Sequence, residues 1–209
     1  MSSMSDFAGY GVATVHEAMG RKGIIGIPLI QVVPGSRAAG PARTVRCGHG
    51  DNLMVHAALS TALAGEVLVL TMPEPAPFSL VGELIAIQAA YRQVAAILVD
   101  AAVRDVDELV RIGLPIWARW IRASGTTKES VGSVNEAVTV GGVKITPGDI
   151  VVLDADGGVV VPARDQEATL KAASERVARE DEARERYRSG ALTYDLLGLR
   201  AKVEGSEQP

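Results

Sequence analysis

Apolar positions along this chain change period several times, and the changes divide it into elements. Phe7 to Met19 carries Val12, Val15 and Met19 on one helical face, with Gly20 beyond it as a stop. Residues 24–41 are punctuated by glycine and proline and predict a loop region with one short extended piece. Arg43 to Cys47 reads as a strand, Gly48 to Asn52 as a turn, and Leu53 to about Leu63 as a helix. Val67 to Leu70 is a continuous apolar run, the signature of a buried strand. Thr71 to Leu80 carries three prolines, which rules out regular structure there, and it is long enough to shape a site. A helix after Gly82, a strand Ile97 to Asp100, a short helix after Asp105 and a strand Pro115 to Ala118 complete a βαβαβ alternation.

From Ala137 the pattern turns to short strands. Val138-Thr139-Val140, Gly141-Gly142 and Val143-Lys144-Ile145 form a hairpin signal, because the two glycines suit the positive φ angles of a tight turn. Ile150 to Leu153 and Val159 to Val161 are two more strands, separated by the turn-rich Asp154 to Gly158. A long charged helix runs from Pro162 to about Arg188, and a shorter one from Leu192 to Leu199. The fold class is therefore α/β: an α/β/β layered, swivelling-domain-like single domain with a C-terminal helical extension. The expected divisions are an α/β/β domain over residues 1–162, a helical extension over 163–203 and a disordered tail from Glu204 to Pro209.

Composition narrows the partners. At 209 residues, 47% hydrophobic and 22% charged, the chain is that of a globular protein with one substantial core. A net charge of −4 and a pI near 5.4 provide no electrostatic footprint for nucleic acid or an anionic membrane. No secretory leader pattern and no membrane-spanning run are read, and Cys47 stands alone, so a cytoplasmic location is expected. Aromatic residues are only 4%, so few large anchors exist and subunit contact is expected to complete the burial.

The candidate chemistry sits at two strand-to-helix junctions, where α/β proteins bind ligands. One is Gly82-Glu83, the other Arg104-Asp105. An arginine fork recognises a carboxylate or 2-keto acid, and an aspartate at a helix start can ligate Mg²⁺ or Mn²⁺, with Glu83, Asp107 and Glu108 reaching the ion through water. The pair reads equally as a helix cap with an Arg104–Glu108 surface bridge. His16, His49 and His56 show no metal-ligand spacing; His16 reads as a satisfied helix residue, and His49 either as part of a turn or as facing a site. Asn52 opens a helix, where its amide could bond a ligand or simply cap. None of the five lysines lies in a continuous buried strand, so a 2-keto acid would need a metal rather than a Schiff base as its electron sink.

Gly82-Glu83-Leu84-Ile85 followed by Asp100 to Glu108 resembles the RraA-like family, which holds both 4-hydroxy-4-methyl-2-oxoglutarate/4-carboxy-4-hydroxy-2-oxoadipate aldolases and the regulator of ribonuclease E activity. Gly11 to Ala18, Gly50-Asp51-Asn52, Gly132 to Asn135, Pro147 to Val151 and Asp154 to Gly157 extend the resemblance over nearly the whole chain. It implies an α/β/β fold, a homotrimer or hexamer, and a divalent metal, Mg²⁺ or Mn²⁺. By the same resemblance Arg104 would bind the pyruvyl end of a small 2-oxo acid, Asp105 would ligate the metal, Glu83 would hold a metal-bound water, and the backbone of Gly82, Glu83, Leu84 and Ile85 would receive a carboxylate. Asn52 joins them as a candidate substrate-binding residue. Where close aldolases are expected to carry aspartate beside that glycine, this chain has the longer Glu83.

The last helix adds one more candidate. Leu170, Ala173, Val177, Glu180, Arg184 and Tyr187 share one face, which is apolar until it reaches Glu180; the pattern reads equally as a helix that leaves the core there with its charged end solvated. The resemblance implies that this carboxylate completes the metal site of an adjoining subunit. The function it implies is a class II aldolase that cleaves 4-hydroxy-2-oxo acids to pyruvate and decarboxylates oxaloacetate as a side activity. The alternative is a non-catalytic regulator that acts on a ribonuclease by protein contact.

Overall fold

The continuous apolar runs are buried on both faces, as strands of a parallel sheet must be. The structure, a computed structural model, describes residues 6–205. Its first half holds α1 (Asp6–Ala18), β1 (Ile30–Gln31), β2 (Ala38–Arg46), α2 (Leu53–Ser60), β3 (Val67–Thr71), β4 (Ser79–Val81), α3 (Glu83–Tyr91) and β5 (Ala96–Val103). α4 (Val106–Ile112), β6 (Ile116–Ile121), β7 (Ser133–Val134) and the hairpin β8 (Val138–Val140) and β9 (Val143–Ile145) follow. The chain then forms β10 (Ile150–Asp154), β11 (Gly157–Val161), a short 3₁₀ turn at Ala163–Asp165, α5 (Gln166–Arg188), α6 (Thr193–Leu196) and α7 (Leu199–Glu204).

Strands β6, β5, β3 and β2 lie parallel in that order, and β10 and β11 continue the sheet antiparallel beyond β2. Side chains alternate between faces along each strand and so fill two separate layers. Leu68, Leu70, Ile97 and Val99 pack against α2, α3 and α4 through Val55, Leu59, Ala86 and Leu109. Val67, Val69, Leu98 and Trp117 face the other way, against Val138, Val140 and Ile145 of the hairpin and Val151 and Leu153 of β10. Beyond β10, Ile150 and Val152 meet Phe7, Val12 and Val15 of α1. This is the expected α/β/β layering, with α1 and α5 outside it.

β2 joins the two β layers. Ala38 to Pro41 pair antiparallel with β10, whereas Ala42 to Arg46 pair parallel with β3. At the changeover Gly40 passes so close to Gly65 that an added Cβ would lie 2.1 Å from its carbonyl oxygen. The expected strand began only at Arg43; the pairing with β10, remote in sequence, supports the earlier start at Ala38.

Other boundaries also move for tertiary reasons. Gly11, at φ 79°, breaks α1, and Asp154 Oδ2 accepts from the freed Val12 amide at 2.8 Å. The strand expected to end at Asp100 runs on to Val103, because Ser79–Val81 forms β4 alongside it, overlapping the end of the segment Thr71 to Leu80 expected to be irregular. The helix expected to reach Leu63 stops at Ser60. The helix expected from Leu192 to Leu199 is divided by Gly198, at φ 64°. Glu204 closes α7 rather than opening a disordered tail, and residues 206–209 of that tail lie outside the described residues. α5 lies along α1, where Leu170 joins the α1 cluster and Arg176 meets Glu17 at 3.7 Å. No helix among the described residues is long and apolar enough to cross a membrane.

One buried carboxylate ties down the long segment after β6. Asp51 is fully buried, and its Oδ2 accepts from Glu129 N at 2.6 Å, Thr127 Oγ1 at 2.7 Å and Ser130 N at 3.2 Å. Its Oδ1 accepts from Leu53 N at 2.8 Å and so starts α2. Burial pushes this carboxyl up, but the hydrogen bonds from Glu129, Thr127, Leu53 and Ser130 outweigh burial and hold it well below its ordinary value. A depressed folded-state pKa contributes stability that is complete above the unfolded value and is lost as pH falls below it. Asp51→Asn is therefore expected to lose on the order of 2 kcal/mol at pH 7, since one amide group must face a donor. Denaturant titration should show the gap between wild type and variant closing from pH 6 to pH 3; a gap that does not change with pH would contradict the assignment.

Candidate active site

β4 and β5 are neighbours, with Val81 opposite Val103, so the two strand-to-helix junctions emerge side by side. Arg104 N donates to Val81 O at 3.0 Å and fixes their relative height. Asp105 then takes the left-handed conformation, φ 60° and ψ 44°, which is uncommon for a residue with a Cβ. It occupies the N-cap position of α4 without capping it, and its Oδ2 instead accepts from the Glu83 amide of α3 at 3.1 Å. Gly82 has no room for a side chain: a Cβ there would lie 2.5 Å from Asp105 Oδ2 and 3.2 Å from Arg104 Nε. The Arg104 guanidinium stands 3.6 Å from Asp105 Oδ2 and is half exposed.

These groups share one cleft of about 580 Å³. Gly82, Glu83, Leu84, Ile85, Arg104, Asp105 and Asn52, all expected from the sequence, line it together. The sequence reading missed Ser79, Arg111, Gly125, Thr126 and Lys128, and it gave His56 no role. Gly125, Thr126 and Lys128 arrive on the segment that Asp51 ties down, and no motif within that segment points to this cleft. Glu108 lines the cleft and pairs with Arg111 at 2.9 Å rather than with Arg104. Asp107 is exposed and lies outside the lining. Asp100, at the originally expected strand end, is buried against Arg119 at 3.0 Å and lies outside the cleft lining; burial raises its carboxyl despite the opposing pull of Arg119.

The two junction residues that could be mere helix caps are not used as caps. Asn52 precedes α2, yet Asp51 bonds the Leu53 amide, and the Asn52 side chain makes no cap bond. Its Nδ2 donates to Leu80 O at 3.3 Å, while Oδ1 is buried without a hydrogen-bond partner. His56 Nε2 is likewise buried and unpartnered. The remaining histidines are accounted for: His16 Nδ1 meets Lys22 O at 3.0 Å, and His49 packs edge-on against Phe78. Cys47 is buried, and burial, with the nearby Asp51 charge, pushes its thiol up to about 12, away from the thiolate form.

At the two strand-to-helix junctions the side chains able to ligate a metal are the carboxylates of Glu83, Asp105 and Glu108. Among the described residues no group of three His, Cys, Asp or Glu side chains converges. Asp105, with Glu83 and Glu108 in the same cleft, fits a hydrated Mg²⁺- or Mn²⁺-type ion, which is held by one or two carboxylates and keeps several waters. Glu180 is not in the cleft of its own chain; it sits on α5 between Arg176, at 2.8 Å, and Arg184, at 3.3 Å.

Residues 12–161 match the RraA-like family, described as Aldolase/RraA. Over 173 residues the chain is 34% identical to a Halalkalibacterium halodurans protein named "Putative 4-hydroxy-4-methyl-2-oxoglutarate aldolase", covering 83% of this chain and 80% of that one. The solved structure of an uncharacterized Pseudomonas syringae pv. tomato protein shares the fold, with a TM-score of 0.80 at 23% identity over 90% of each chain. The RNA-processing inhibitor RraA from Thermus thermophilis gives a TM-score of 0.60 at 30% identity, over 64% of this chain and 81% of that one. With most of its length matched both as sequence and as fold, the chain belongs to the RraA-like family.

Proposed function

We propose that this protein is a metal-dependent aldolase that cleaves 4-hydroxy-2-oxo acids, such as 4-hydroxy-4-methyl-2-oxoglutarate or 4-carboxy-4-hydroxy-2-oxoadipate, to pyruvate and a second keto acid. The observation that carries the reading is the cleft itself: a half-exposed arginine, a carboxylate held off its own helix, and a helix N-terminus, all within one cavity. Arg104 binds the pyruvyl end, since its fork can hold carboxylate and 2-oxo oxygens together. The Glu83 amide is taken by Asp105, which leaves the Leu84 and Ile85 amides at the start of α3 to receive the substrate carboxylate. A divalent ion bound at Asp105, with Glu83 and Glu108 acting through water, would supply Lewis-acid polarisation of the 2-oxo group.

Glu83 takes the proton of the C4 hydroxyl through a water. The C3–C4 bond then breaks, its electron pair moves into the C2–C3 bond, and negative charge gathers on the C2 oxygen beside Arg104. Oxaloacetate decarboxylation yields the same enolate and is the expected side activity. The assembly proposed is a homotrimer or hexamer, in which Glu180 of a second subunit supplies a further carboxylate to the site.

A second reading, a regulator acting by protein contact, draws support from the Thermus relative and from Leu84 and Tyr91 of α3, exposed at 73% and 87%. Pyruvate release from a panel of 4-hydroxy-2-oxo acids and oxaloacetate, with and without Mg²⁺, separates the two. Activity should depend on added Mg²⁺ or Mn²⁺ and vanish with chelator. Covalent trapping on a lysine by borohydride would sink the metal mechanism.

Arg104→Lys should keep the fold but lower kcat by roughly a hundredfold or more, because it loses the bidentate fork and a contact to the enolate oxygen. Near-normal turnover would remove Arg104 from the mechanism. Glu180→Gln and Asp105→Ala should each be inactive alone, and mixing them under subunit exchange should restore partial activity. No recovery despite demonstrated exchange would confine the site to one chain.

A further inference from the structure

Aldol cleavage moves two protons, and only one has been assigned. The proton leaving the C4 hydroxyl goes to Glu83; another must arrive at C3 for pyruvate to form. Asn52 and His56 stand one helical turn apart on α2, and both line the cleft. Asn52 is only 6% exposed, its Oδ1 lacks a partner, and the cap position it occupies is served by Asp51. His56 Nε2 is the second unpartnered buried atom there. Buried polar atoms are rarely left without partners, and water has the chemistry to satisfy both, donating to the amide oxygen and accepting from the ring.

Resting on the aldolase reading, we propose that His56 returns the proton to C3 of the pyruvate enolate, through a water held between His56 Nε2 and Asn52 Oδ1. His56 enters the step as the imidazolium. The enolate C2–O⁻ reforms the carbonyl, the C2–C3 π pair takes a proton from the water, and the water is replenished from His56 Nε2–H. Neutral His56 regains a proton from solvent while Glu83 gives its proton up to solvent. The balance is one proton moved from the C4 oxygen to C3, with no oxidant or reductant. Asn52 is a positioning residue, and its amide oxygen keeps the water oriented.

The test needs no cleavage. In D₂O with Mg²⁺ and pyruvate, proton NMR of the methyl signal reports exchange at C3. In His56→Gln and His56→Ala the exchange rate should fall about a hundredfold, whereas pyruvate affinity by calorimetry should change less than about threefold. Imidazole added to His56→Ala should restore about tenfold or more of the lost rate, which a packing defect would not allow. Exchange in both variants within about threefold of wild type overturns the assignment, as does a loss that tracks weakened pyruvate binding or resists imidazole. A wild-type protein that neither binds pyruvate nor exchanges its C3 protons removes the aldolase reading itself, and this inference with it.

Discussion

The bond from the Glu83 amide to Asp105 Oδ2, at 3.1 Å, is the constraint on which the candidate site depends. It joins two strand-to-helix junctions that are 22 residues apart in the chain. Holding Asp105 in the left-handed region costs on the order of 1–3 kcal/mol, which the surroundings must offset. Two contacts fix it there: its carbonyl accepts from Leu109 N at 2.9 Å, and its carboxylate is drawn across to α3. Gly82 makes this approach possible, since any side chain would occupy the space of the carboxylate. The same geometry sets the Arg104 guanidinium beside Asp105 instead of on the surface of α4.

Charge in the cleft is mixed by design of the backbone. Arg104, Arg111 and Lys128 face Glu83, Asp105 and Glu108 within one cavity. That mixture is what the proposed aldolase reading needs, since it would place a hydrated cation and an organic anion each near groups of opposite sign. The cationic Lys128 is delivered by a segment without regular structure, and such a segment holds position only where its backbone polar groups find partners. Asp51 supplies them. It accepts two backbone amides and the Thr127 hydroxyl from that segment while starting α2, so the placement of Lys128 and that of Asn52 and His56 share one anchor.

Most elements were legible because local pattern decides them. The apolar runs at Val67 and Ile97, the glycine pair of the hairpin at φ 53° and 81°, and the charged helix to Arg188 all appear where periodicity and turn chemistry place them. The errors concentrate where a strand edge or a buried carboxylate from elsewhere overrides local preference. Ser79–Val81 becomes a strand because β5 offers it an edge, and α1 breaks at Gly11 because Asp154, remote in sequence, takes the Val12 amide. Neither partner can be inferred from the residues adjacent to the break.

The site divides along the same line. Residue types at the junctions, Gly82-Glu83 and Arg104-Asp105, together with the family motifs they belong to, name the centre of the cleft but not Ser79, His56, Arg111, Gly125, Thr126 or Lys128 around it. Their use is another matter. Asp105 and Asn52 both stand at helix starts, where either could have been spent as a cap; only the folded chain shows Asp105 turned to α3 and Asn52 displaced from capping by Asp51. His56 carries no signal in its spacing, and its ring nitrogen becomes a feature only when burial removes every other partner. Hydrogen bonds between residues far apart in the chain depend on three-dimensional proximity, which a linear pattern does not encode.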